Sequence, residues 1–306
     1  MNITEVRING CPCVIIEGVK CFDIGKIFDC GQCFRFDPVP DSSHEKEFSG
    51  VAFGRFVSFA QDADKVYIYG SDTYDYENVW KPYLNIERDY DEIFEDIMTH
   101  CQNENLVAAL EYGQGIRILA QDAFECIISF IVSQNNNIPR IKKIIEALAA
   151  TCGEPIAIHN EMKKHLSGRS SLCSFPDADS LVRLGEEGLF ELKTGFRAKY
   201  IYDAARRTLD GKLILDKVYD EDDTERAIDI LCEVKGIGRK VASCALLFGF
   251  EKYNAFPVDV WMKRVALKYF GEEGESLSWE TFGPYAGIAQ QYLFYYGREN
   301  KIKGID

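Results

Sequence analysis

The chain has 306 residues, 46% hydrophobic and 13% aromatic, with a formal net charge of −14. That length can bury a large core and exceeds the size at which chains usually split into domains. The acidity excludes strong non-specific binding of nucleic acid over the whole surface but leaves room for a local basic face.

Residues 1–100 hold 9 Lys/Arg against 19 Asp/Glu, so most of the negative charge lies there. Residues 196–270 are near balance, with Lys199, Arg206, Arg239, Lys240, Lys263, Arg264 and Lys268 available. Met1–Arg7 lacks the charged-then-apolar pattern of a signal peptide, and no apolar run is long enough to span a bilayer. No leader and no membrane contact are therefore expected. The 11 cysteines form only two close pairs, Cys11/Cys13 and Cys30/Cys33, and the four histidines (44, 100, 159, 165) do not complete a set with them. Zinc and iron–sulfur sites need two close pairs or a clustered run. We expect no metal site and free thiols in a reducing compartment.

The first hundred residues read as strands at 13–16, 48–53, 55–60 and 65–70, short and rich in β-branched and aromatic residues. Gly54 and residues 62–64 mark turns, and 38–43 reads as a loop. A helix is predicted over 86–100. From about Leu106 the pattern turns helical. Residues 123–132 are almost wholly apolar. Residues 138–150 place Ile141, Ile144, Ile145, Leu148 and Ala149 on one face. Helices at 198–209, 227–234 and 285–296 follow.

One stretch organises the second half. Ala227, Ile228, Ile230, Leu231 and Val234 recur at helical spacing, and so do Val241, Ala242, Ala245, Leu246 and Phe248. Between them stands Gly236-Ile237-Gly238, which a continuous helix disfavours by about 1 kcal/mol per glycine. The pattern predicts helix, hairpin, helix over about 225–249. The hairpin amides at the start of the second helix form a site for phosphate. Lys240 stands in that helix's first turn, where burial or nearby positive charge is expected to lower its pKa towards that of a nucleophile. Pro257-Val258-Asp259 then opens another helix, with Asp259 at or near its N-cap. An amine and a carboxylate brought together in this way suit attack at a centre that develops positive charge.

The segment resembles the helix-hairpin-helix, Gly/Pro-Asp superfamily of base-excision DNA glycosylases, in its lysine-bearing bifunctional members. Further stretches are similar to the 8-oxoguanine DNA glycosylase/lyase branch. Cys30-Gly31-Gln32-Cys33-Phe34-Arg35 resembles that family's Gly-Gln-Ser-Phe-Arg. The resemblance implies that the Gly31 carbonyl accepts N7–H of the oxidised base. Ser133-Gln134-Asn135-Asn136-Asn137-Ile138-Pro139-Arg140 implies that Asn135 enters the gap left by the flipped base, with Arg140 reading the estranged cytosine. Thr194-Gly195-Phe196-Arg197 implies that Phe196 wedges beside the opposite base and that Arg197 is a second reader. In the last helix Phe294 is implied to stack on the base opposite Cys244, while Gln290 bonds its Watson–Crick edge. Amides at Gly236, Gly238 and Val241 are implied to hold phosphate. The similarity is strong from about Ala123 to Phe294 and weak in the acidic first region outside 30–36. Three residues depart from the family pattern: Lys235 replaces the usual Pro, Trp261 a frequent His, and Phe196 a frequent Tyr.

The expected architecture is α+β. An antiparallel β-sheet domain over 1–105 precedes a larger all-helical domain pair over 106–306. The resemblance implies excision of 8-oxoguanine from duplex DNA, preferentially opposite C, through a Lys240 Schiff base stabilised by Asp259, followed by β-elimination. It requires no cofactor and allows a monovalent cation on the hairpin carbonyls. A monomer is expected, in the cytoplasm or nucleoid, or in the nucleus of a eukaryote. The alternatives are a glycosylase of the same fold for another damaged base and a non-catalytic DNA-binding protein. Lys240 and Asp259 together argue against both.

Overall fold

A computed structural model describes residues 1–168 and 172–300. The predicted helical region therefore runs past the described residues at 169–171 and 301–306. Six strands form one antiparallel sheet: β1 (Asn2–Ile8), β2 (Cys11–Glu17), β3 (Phe36–Pro38), β4 (Lys46–Ala52), β5 (Arg55–Asp62) and β6 (Lys65–Tyr69). Their spatial order is β1-β2-β6-β5-β4-β3. Ala52 pairs with Arg55 across the predicted turn at Gly54, and Asp62 pairs with Lys65 across the predicted turn at 62–64. Two strands were not expected. β1 joins β2 through Asn9-Gly10, both with positive φ, the usual chemistry of a two-residue hairpin. β3 is a three-residue edge strand that overlaps the predicted loop only at Pro38, which sits where no inner ladder bond is needed.

The inner face of the sheet buries Val14, Ile16, Val57, Phe59 and Ile68 against Ile24, Ile27, Phe28, Tyr76 and Trp80. Its other face is covered by Ile156, Ile158, Met162 and Leu166, which lie far along the chain. His165 Nδ1 meets Glu47 Oε1 at 2.5 Å beneath that cover. Apolar periodicity does not reveal this packing.

The helical body is a single continuous core. The predicted helix over 86–100 is shorter, Tyr90–His100: Asn85 takes φ +56°, and Asp89 caps the helix by accepting from Asp91 and Glu92 N–H. Tyr90, Ile93 and Ile97 join the helical core, so helical packing begins before residue 106. The 138–150 and 285–296 predictions extend to Ile138–Cys152 and Ala286–Glu299, and the 198–209 helix falls at Ala198–Leu209. The 227–234 prediction lies at Thr224–Cys232, started by the Asp223 cap. The Ala178–Leu189 helix was not foreseen. Cys30 and Phe34 from the sheet side enter the helical core and bring the Gly31 loop to it.

Candidate active site

The site is built around the hairpin. The Thr224–Cys232 helix ends, the chain turns, and the Arg239–Gly249 helix begins with Gly238 as N-cap. Gly236 has φ +85°, and a Cβ there would stand 2.3 Å from the Tyr200 ring. Glycine is thus required for both backbone and space. Among the described residues no side chain caps the second helix, so its first amides, Val241 among them, lack intrahelical partners. An anion site was expected from the amides of Gly236, Gly238 and Val241, and the uncapped helix start lies among them.

Asp259 is the N-cap of the Val260–Phe270 helix, with its Oδ1 accepting Met262 N–H at 2.7 Å. Its carboxylate therefore has a fixed direction. Lys240 Nζ lies 5.8 Å from the centroid of the Phe130 ring. Both side chains line a cavity of about 180 Å³, together with Gly31, Cys244, Gln290 and Phe294. These six positions come from four separated parts of the chain; local sequence pattern singled out Lys240 and Asp259, and resemblance the other four. A larger cavity of about 550 Å³ also touches Lys240, but Asp222, Asp223, Glu225 and Glu280 line it and Asp259 does not. The smaller cavity is the one that unites amine and carboxylate.

The electrostatics correct one expectation. The Lys240 pKa is raised, not lowered: negative charge at Cys244 favours the ammonium and, with Asp259, outweighs the opposing effect of burial. Burial in turn pushes the Cys244 thiol up, with Lys240 opposing. Lys240 rests as a cation, and the proton must leave before it can attack.

The cavity walls are braced. Gly31 has φ +85°, a conformation L side chains rarely adopt, although a Cβ would meet nothing closer than Phe294 Cε1 at 3.8 Å. Backbone shape rather than space selects glycine there. The Cys30 carbonyl accepts Gln291 Nε2 at 2.8 Å. Buried Gln32 donates to the Ile27 and Arg117 carbonyls and accepts Leu119 N–H. Gln291 and Gln32 were not picked out from the sequence, where only their adjacency to Gln290 and Gly31 pointed to them. Gln290 is buried and makes no side-chain hydrogen bond among the described residues, which leaves its amide for a guest. Trp261 packs on Phe294 with ring centroids 4.6 Å apart.

The predicted DNA-facing residues divide. The three asparagines differ in role: Asn137 caps the next helix, Asn136 donates back to the Val132 carbonyl, and Asn135 is exposed with φ +46°. Arg140 and Phe196 are exposed. Arg197 is not a free donor as expected; it is buried against backbone carbonyls of its own chain. All 11 cysteines are free thiols. No cluster of three or more His, Cys, Asp or Glu side chains able to hold a metal occurs among the described residues.

A hairpin lysine facing an Asp-capped helix across a base-sized cavity has the form of a base-excision glycosylase. Two family models tile the chain: 8-oxoguanine DNA glycosylase, N-terminal domain, over residues 14–127, and HhH-GPD superfamily base excision DNA repair protein, over 128–280. The chain belongs to the 8-oxoguanine DNA glycosylases of the HhH-GPD superfamily. The Clostridium acetobutylicum 8-oxoguanine glycosylase/lyase, solved with double-stranded DNA containing cytosine opposite 8-oxoG, is 34% identical with a TM-score of 0.87, covering 99% of each chain. A probable N-glycosylase/DNA lyase of Methanothermobacter thermautotrophicus is 29% identical over 68% of this chain and 72% of its own length. N-glycosylase/DNA lyase OGG1 of Arabidopsis thaliana is 32% identical over 59% of this chain, which spans about half (52%) of that relative.

Proposed function

We propose that the chain is a bifunctional DNA glycosylase/AP lyase that excises 8-oxoguanine from duplex DNA. The observation that carries this reading is the single cavity shared by Lys240, Asp259, Gly31, Cys244, Gln290 and Phe294. The lesion nucleotide must leave the stack, because C1′ is unreachable inside the duplex. The base then lies between Phe294 and Cys244, with Gln290 on its Watson–Crick edge and the Gly31 carbonyl on N7–H. Normal guanine has no N7 hydrogen, so that buried acceptor goes unpaired, a cost of about 1–3 kcal/mol.

Lys240, once deprotonated, adds its nitrogen lone pair to C1′ as the glycosidic bond breaks and its electrons leave with the base. Asp259 stabilises the positive charge that develops on the sugar. Ring opening of the amine adduct gives a Schiff base between Lys240 and C1′. Loss of a C2′ proton then expels the 3′-phosphate by β-elimination and nicks the strand. The amides at Gly236, Gly238 and Val241 hold backbone phosphate.

Arg140 is the exposed forked donor for an opposing cytosine, so C is the preferred partner of the lesion. The protein works as an intracellular monomer on duplex DNA, needs no cofactor and has no membrane contact. The Val234 carbonyl accepts one N–H, that of Ile237, which leaves a lone pair for a monovalent cation at the hairpin. A sister glycosylase for alkylated bases would not need Lys240, and the presence of that lysine favours the lyase. The test is borohydride trapping on an 8-oxoguanine duplex. Wild type should give a covalent adduct; Lys240→Gln should give neither adduct nor base release while still binding the lesion. An adduct of full yield in the variant would remove Lys240 from the mechanism.

A further inference from the structure

Three successive peptide carbonyls stand in the loop that reaches the cavity, those of Cys30, Gly31 and Gln32. The outer two are held. The Cys30 carbonyl accepts Nε2 of Gln291 at 2.8 Å, and the Gln32 carbonyl accepts Nε2 of Gln121 at 2.8 Å. The Gly31 carbonyl between them accepts no hydrogen bond among the described residues, and Gly31 lines the cavity. Glycine has the widest choice of backbone angles, so the direction of that middle carbonyl is set by what fixes its neighbours.

The two glutamines tie the loop to different elements. Gln291 is buried and follows Gln290 in the Ala286–Glu299 helix. Gln121 precedes the Asp122 cap of the Ala123–Ser133 helix, and its own N–H donates to the Phe248 carbonyl at 3.0 Å. Phe248 lies in the last turn of the Arg239–Gly249 helix, where carbonyls have no intrahelical partner, and the same helix carries Lys240 in its first turn. Gln121 thus spans from the lysine-bearing helix to the loop. It does not line the cavity, so any effect it has on the choice of base must pass through the loop.

We propose that Gln121 and Gln291 are positioning residues for lesion discrimination, clamping the peptides on either side of Gly31 so that its free carbonyl points in one fixed direction. The proposal rests on the reading above, in which that carbonyl accepts N7–H of 8-oxoguanine. A fixed acceptor rejects guanine, because guanine brings it no hydrogen and leaves it buried and unpaired. A loosened acceptor turns away from guanine and escapes that penalty. It also meets the N7–H of the lesion less often. Loss of either clamp therefore acts on the difference between the two bases, whereas a merely structural side chain acts on all ligands alike.

The test is the affinity of the full chain, in a Lys240→Gln background that prevents turnover, for three duplexes. These carry 8-oxoguanine, guanine or a tetrahydrofuran abasic analogue at the same position opposite C. Gln121→Met and Gln291→Met keep the length of the side chain and remove the donor. Each should narrow the 8-oxoguanine-to-guanine affinity ratio by about 5-fold or more, within the span that one buried unpaired acceptor commands, and leave affinity for the abasic analogue within about 2-fold. If Gln291→Met does not fold, Gln121→Met, at a half-buried position, decides alone. A ratio that stays within about 2-fold of the parent in Gln121→Met would overturn the proposal. Equal weakening on all three duplexes would overturn it too, since the abasic analogue has no base to read. Equal affinity of the Lys240→Gln parent for 8-oxoguanine and guanine would instead overturn the reading of the lesion on which the proposal rests.

Discussion

Trp261 meets Phe294 at 62°, with ring centroids 4.6 Å apart, and so stands behind a wall of the cavity that holds Lys240. Both residues belong to helices that converge there, and Trp261 lies two positions after the Asp259 cap. The indole fixes the tilt of the ring on which the extruded base would stack. An edge-to-face aromatic pair is worth about 0.5–1.5 kcal/mol beyond burial, or roughly 2- to 10-fold in affinity. Trp261→Ala in a Lys240→Gln background should weaken binding to lesion duplex by that factor, and Trp261→His should recover part of it. Unchanged affinity in Trp261→Ala would mean that other neighbours hold Phe294.

Asp259 caps a helix, and the charge stabilisation proposed for it can be separated from that task. Its Oδ1 caps the Val260–Phe270 helix through Met262 N–H, and Asn caps nearly as well. Asp259→Asn should therefore lower stability by only a few tenths of a kcal/mol while base release falls by about 10-fold or more, the ~1.4 kcal/mol or greater expected from losing a preorganised charge. Thermal melting and single-turnover rates on the same preparation separate the two. Wild-type turnover would leave capping as the only role.

The raised pKa of Lys240 sets the pH response. Negative charge at Cys244 and Asp259 favours the ammonium above its ordinary value of 10.5, so the neutral amine is scarce at neutral pH. Each unit of pH multiplies that fraction by about ten until the pKa is reached. Base release limited by this step should climb from pH 7 to pH 9. Burial keeps the Cys244 thiol mostly protonated over that range, so Cys244→Ala should leave the profile between pH 7 and pH 9 in place. Because the folded pKa lies above the unfolded one, the same contacts stabilise the fold below about 10.5 and are lost only as pH rises through the folded pKa. A flat rate profile would place the limiting step elsewhere.

The positions of Lys240 and Asp259 in the fold could be read from sequence because their signals are local. Two apolar periodicities broken by Gly-Ile-Gly place Lys240, and a proline before an acidic N-cap places Asp259. The cavity residues Gly31, Cys244, Gln290 and Phe294 were reached through family likeness, since an apolar helix does not announce which side faces a guest. β1 was missed although Asn9-Gly10 is a strong hairpin signal, because most of the strand is exposed and only Val6 and Ile8 near its end pack inward. The cover over the outer sheet face could not be seen, because Ile156, Ile158 and Met162 follow no period and meet strands about a hundred residues away. The same limit explains Lys240 and Arg197. Residue type was clear, but the pKa of one and the filled donors of the other depend on neighbours that only the folded chain supplies.

The opposing base is where the assignment is most exposed to experiment. Arg140 lies just past the Asn137 cap, on the first turn of the Ile138–Cys152 helix, and its side chain is free among the described residues. A forked donor of this kind fits the N3 and O2 acceptors of cytosine, and a good bidentate pair discriminates by about 1–3 kcal/mol. 8-Oxoguanine should therefore be removed faster opposite C than opposite A, by about 5- to 150-fold over that range. Arg140→Ala should close most of that gap by slowing the reaction opposite C, and should change the reaction opposite A little. Arg140→Lys keeps the charge but loses the fork, so it should recover phosphate-driven binding without recovering the preference. If Arg140→Lys restores the full C-to-A ratio, charge rather than geometry reads the base, and the fork at position 140 is not the reader.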